Sequence, residues 1–166
     1  MSIDQRNELK INLELNALYD IWQEFCEQHT SLYELTCDEY IKLLASEIDD
    51  LEELMQQKNS VLSNINELDK QRRDVIKNIC HLLGEQQEPQ KIKDFILVLN
   101  KYEKNDIAIG LEKMNLLLIG IIQKIQEQNK KNQIFLNKAI LSLKELRSSF
   151  NGEKNYDTYG ANGLVK

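Results

Sequence analysis

The chain has 166 residues, 29% of them charged, a net charge of −6 and a single proline, Pro89. That length suits one domain, and a composition led by Leu, Ile, Lys, Glu, Gln and Asn favours long helices over sheet. The acidic balance argues against a nucleic-acid binder, which needs a basic footprint, and no apolar run nears the ~20 residues that span a bilayer.

The first residues carry neither the basic nor the apolar stretch of a secretory signal. A cytoplasmic protein with no membrane insertion is therefore expected. Cys26, Cys37 and Cys80 are odd in number and widely spaced, which predicts free thiols packed as small hydrophobes.

Residues 4–35 read as a first helix. Leu15, Leu18, Trp22, Phe25, Cys26, Leu32 and Tyr33 fall roughly on one face, and Trp22 and Phe25 are its largest apolar side chains. Seven acids against two bases make the outer face negative. Thr36-Cys37-Asp38-Glu39 matches a capping box and predicts a helix boundary, with a kinked continuous helix as the alternative.

From Asp38 to Leu83 a heptad of apolar residues runs through Ile41, Leu44, Ile48, Leu51, Met55, Leu62, Ile65, Ile76, Ile79 and Leu83. Lys58, Asp69 and Arg72 fill the remaining seam positions. A repeat sustained over that length is a coiled-coil seam. Gly84 stands where a left-handed cap is expected. Polar residues 85–88 and Pro89 lead into a short amphipathic connector helix, Ile92 to Tyr102, and Asn105-Asp106 supplies the cap of the next helix.

The second long helix, Ile107 to Phe150, has an apolar stripe at Leu111, Met114, Leu118, Ile121 and Ile125, resumed at Leu136, Ile140, Leu143 and Phe150. Two long helices joined by a compact connector are expected to fold back as an antiparallel hairpin. Charge fits: 36–84 holds ten acids and six bases, 107–150 three acids and seven bases. The expected fold is all-α, an elongated antiparallel hairpin with an N-terminal helix and a connector helix. Residues 1–152 would form one domain and 153–166 a flexible tail.

Two features of the second long helix have open readings. Leu116 to Ile122 is apolar nearly all round; either neighbouring helices cover it or it is partly a groove for a ligand helix. Asn129 and Asn132 interrupt the stripe, either to fix register or to mark where packing ends and binding begins.

No catalytic or cofactor motif is present. There is no phosphate loop, nucleophile elbow or zinc-protease helix. The residues three before His29 and His81 are Cys26 and Asn78, so the di-iron Glu-x-x-His pairs are absent. The acids Glu47, Asp49, Asp50, Glu52 and Glu53 lack the order and glycine of a calcium loop and read as a solvated face. No metal, cofactor or enzymatic activity is expected.

The run Asp49-Asp50-Leu51-Glu52-Glu53-Leu54 through Lys58 to Leu62, continued by Ile65, Leu68 and Arg72, resembles the FlgN family of flagellar export chaperones. Asn129-Lys130-Lys131-Asn132 with Leu136 is similar to a second family pattern, and Thr158-Tyr159-Gly160-Ala161-Asn162-Gly163 to its Tyr-containing, Gly-terminated tail. The resemblance implies a cytoplasmic type III export chaperone. It implies clients among the hook-filament junction proteins FlgK and FlgL, bound through their apolar C-terminal helices, and delivery to the export gate protein FlhA. By position it places gate docking on Tyr159 or Tyr156, with Gly160 and Gly163. The client surface is expected at Asn129, Asn132, Leu136, Ile140, Leu143 and Phe150. A structural coiled-coil spacer without a client is the competing reading; it predicts polar helix faces throughout.

Overall fold

The computed structural model describes residues 3–152, which form α1 (Ile3–Ala45), α2 (Ile48–Leu83), α3 (Ile92–Lys101) and α4 (Asn105–Gly152). No strand occurs among the described residues. The chain is all-α with long helices and a short connector helix, as its composition predicts. The pairing of the long helices differs from the expected one. α1 is the common partner: α2 folds back along it, and α4 runs along its flank. Met114 of α4 lies beside Cys26, Asn132 beside Thr36 and Phe135 against Tyr40, so α4 is parallel to α1.

The reason lies in the stripe that α1 presents. Ile11, Leu15, Leu18, Trp22, Phe25, His29, Leu32 and Thr36 follow steps of four and three residues, and all are buried. That is a coiled-coil spacing with two polar members, each satisfied inside its own helix. The His29 Nδ1 sits 2.7 Å from the Phe25 carbonyl; a carbonyl only accepts, so Nδ1 carries the proton. The Thr36 hydroxyl donates to the Leu32 carbonyl at 2.7 Å.

Thr36 is therefore mid-helix, and the boundary expected there does not form. The same Thr-x-x-Glu spacing serves a different purpose: Thr36 bonds backwards and Glu39 points to the other helices. The chain turns instead at Ser46, whose φ of 59° is left-handed, and at Glu47. The Lys42 ammonium holds Asp50 at 2.7 Å and Glu47 at 2.5 Å across this turn. Those two bonds, Asp50 first, raise the Lys42 pKa above the lysine range, and Lys42 in turn holds Asp50 below the carboxylate range.

On α2 most of the predicted heptad holds. Leu51, Lys58, Ile65, Asp69, Arg72, Ile76, Ile79 and Leu83 are buried or half-buried, but Met55 and Leu62 are exposed, and Leu54, Val61 and Leu68 take the alternate positions there; the first predicted members, Ile41 and Leu44, belong to α1 and are exposed. Arg72 lies 5.7 Å over the Trp22 ring while pairing with Asp69 at 2.7 Å. At the far end Gly84, φ 78°, ends α2: its N–H donates to His81 O, and the Glu85 N–H donates to Cys80 O at 2.9 Å. This is a Schellman cap.

It turns the chain into α3, whose Phe95 and Leu99 are fully buried among Leu15, Leu18, Ile79 and Leu111. Each such side chain contributes roughly 1.5–3 kcal/mol on burial, and this end is the thick part of the core. The ion pairs that α2 was expected to make with α4 are absent among the described residues. The inter-helix pairs run from α1 instead, Lys58 to Glu39 and Lys42 to Asp50 of α2, and Glu8 to Lys104 just before α4.

Candidate helix-binding surface

The α4 stripe begins as core and ends in solvent. Leu111, Leu118, Ile125 and Asn132 recur at heptad spacing, and all four are buried against α1. The same line continues through Ala139 and Leu146, flanked by Leu136, Leu143 and Phe150. Below the contact of Phe135 with Tyr40 (5.9 Å, edge-on) the packing stops among the described residues. Every residue from Asn137 to Phe150 is exposed, Leu143 at 66% and Phe150 at 68%. α4 thus carries a helix-pairing stripe past the end of the helix it pairs with. A contiguous apolar face of that kind marks an interaction surface.

A polar knot separates the two parts. The Asn132 amide donates to the Thr36 carbonyl at 2.9 Å and to Glu39 Oε2 at 3.0 Å, and its oxygen accepts from Gln128 at 3.0 Å. The same Glu39 oxygen accepts from Lys58 Nζ at 2.6 Å. One carboxylate of α1 therefore ties α2 and α4 together. Lys58 and Glu39 keep only 12% and 16% of their side chains exposed. A satisfied buried network fixes register, and this one sets how far α4 extends beyond α1.

A groove of about 710 Å³ runs between α1 and α4 further up. Cys26 and Tyr33 of α1 and Met114, Leu117 and Ile121 of α4 form its apolar lining. Burial, and secondarily Glu27, push the Cys26 thiol up, and a hydrogen bond with Cys37 does the same for the Tyr33 hydroxyl. Glu27 and Glu34 of α1 and Lys124 of α4 stand at its edges. Leu118 faces α1, but Leu116, Leu117 and Ile119 are exposed, so neighbouring helices cover only part of the apolar run.

The sequence-predicted residues divide accordingly. Ile140, Leu143 and Phe150 are exposed on the projecting stripe, Leu136 is half-buried at its head and Asn129 is exposed. Asn132 is 3% exposed, and its amide is engaged by α1. Sequence reasoning missed Leu146, which completes the stripe, as well as Cys26 and Tyr33 on the α1 side of the groove. Leu146 was legible from heptad spacing, and the α4 side of the groove from the apolar run Leu116 to Ile122; its α1 side was not, because it needs the α1–α4 pairing. Tyr156, Tyr159, Gly160 and Gly163 lie outside the described residues.

Among the described residues no cluster of His, Cys, Asp and Glu could hold a metal ion, and no helix is long and apolar enough to cross a membrane. All three cysteines are free, Cys80 buried and the other two half-buried. A family model described as FlgN protein matches residues 14–166. No curated protein and no solved structure matches the chain.

Proposed function

We propose, for a chain that belongs to the FlgN family of flagellar export chaperones, that the projecting stripe of α4 is where an export client is held. The clients of this reading are the hook-filament junction proteins FlgK and FlgL, bound in the cytoplasm through their C-terminal helices and passed to FlhA. The observation that carries it is the continuation of the α1-facing stripe into solvent at Leu143, Leu146 and Phe150. A client helix laid on that stripe takes the place α1 has higher up, and its apolar face is kept from self-association. A spacer needs polar faces here and would gain nothing from an exposed Phe150.

The residues at 153–166 complete the reading as the gate-docking segment, with Tyr159 or Tyr156 as its anchor. The two roles are separable by co-purification with FlgK and FlgL. Leu146→Asp with Phe150→Asp should lose the junction proteins while keeping FlhA. Tyr159→Ala with Tyr156→Ala should do the reverse. Loss of the client on the tyrosine changes, with the stripe changes silent, would place the client on the tail and overturn the division.

A further inference from the structure

The groove between α1 and α4 has two unlike rims. On the α1 side stand Glu27 and Glu34, with Asp38 a turn further. On the α4 side stands Lys124, followed at heptad spacing by Lys131 and Lys138, with Glu127 the one acid among them. All of these are exposed, and none forms an ion pair among the described residues. Elsewhere α1 does pair with its neighbours, through Lys58–Glu39 and Lys104–Glu8. The rims stand apart with an apolar floor between them, Leu117 being 58% exposed.

We infer that this groove takes the amphipathic helix of a client whose two flanks carry opposite charge, basic toward α1 and acidic toward α4. The inference rests on the proposed client-holding role of α4 and extends it. The groove lies on the same two helices as the Tyr40–Phe135 contact, and below that contact the projecting stripe begins. A helix of about thirty residues, roughly 45 Å long, seated on the stripe would reach up into it. Charge complementarity of exposed pairs adds modest affinity but strong discrimination of partner and register. For a helix lying with its apolar face down, exchanging left and right flanks is the same as reversing its direction. The rims therefore choose which way the client runs, and hence which client end lies at the free end of α4.

The test uses the full chain and three fluorescent helical peptides that share one leucine face. One has a basic and an acidic flank, one has both flanks basic, one has both acidic. Anisotropy titration should show the bipolar peptide binding about three- to tenfold tighter than either uniform one, with the difference shrinking at high salt. With Glu27→Lys and Glu34→Lys both rims are basic, and the all-acidic peptide should become the tightest. Equal affinities for all three peptides, or an order that the double substitution leaves unchanged, would overturn the inference. So would amine cross-links from Lys124 to Lys166, within one chain or between isotopically distinct copies, since the tail or a second copy would then fill the groove. The peptide ranking is independent of the junction-protein pull-down, so failure here is distinguishable from failure of the client-holding role.

Discussion

Asn132 illustrates how a polar residue can end one kind of surface and permit another. Its amide joins the Thr36 carbonyl and the Glu39 carboxylate, and Lys58 closes the network from α2. Because these groups are largely buried, removing one leaves the others short of a partner. Lys58→Met and Glu39→Met should each cost about 1–3 kcal/mol in urea unfolding. The double variant should cost clearly less than the sum, as expected for groups that interact. Additive losses would mean the two side chains act independently.

Cys80 gives a second residue-scale expectation. Burial, then Glu85 and Glu88, raise its thiol pKa above the usual value, so it is protonated at neutral pH, and it is 2% exposed. Alkylation of the native chain at pH 7.5 should spare Cys80 until the α2–α3 end opens; rapid native labelling would contradict the packing described. From sequence alone the thiols were legible as free, whereas Asn132 was left between two roles. Its partners come from the other helices, and no local pattern encodes them.

At the level of elements, α1 is the helix on which the others are hung. Its stripe from Ile11 to Thr36 is the most regular heptad in the chain. His29 and Thr36 disguise it, because both look like breaks until their bonds to Phe25 and Leu32 are seen. The capping-box pattern at Thr36 misleads for the same reason: a Thr hydroxyl bonds as readily to the carbonyl four residues back as to an amide ahead. The true turn, at Ser46 and Glu47, has neither Gly nor Pro to announce it. α2 was easier to read. Of the α2 positions carrying the family resemblance, Leu51, Leu54, Lys58, Ile65, Leu68 and Arg72 lie in its buried or half-buried seam, whereas Leu62 is exposed.

Its end was also legible, at Gly84. With φ at 78°, Gly84→Ala should destabilise the chain by about 1 kcal/mol, seen as a lower urea midpoint with an unchanged slope. Open space surrounds the added methyl, so the loss would report backbone strain alone. An unchanged midpoint would mean that α2 does not end in this cap.

At the scale of the molecule, one end is thick and closed and the other is thin and open. α3 and the start of α4 close the first around Phe95, Leu99 and Leu111. At the second, the α1–α2 turn carries exposed acids while α4 runs on past the end of α1 with Lys138, Lys144 and Arg147 beside its leucines. All-α architecture, the connector and the Gly84 cap of α2 could be anticipated from spacing and composition. The choice of α1 as the shared partner could not, since helices of similar length and amphipathicity leave several pairings open, and only the summed burial selects one.

The central claim, that the free stripe of α4 holds the client, is tested most directly by amide hydrogen exchange on the full chain with and without FlgK. Among the described residues no other helix lies beside 137–150 to slow the opening of its amides. They should exchange fast in the free chaperone and slow by about tenfold or more once the client helix covers them, while α2 and α3 change little. Protection confined to α2 and α3, with 137–150 still exchanging fast in the complex, would contradict the account.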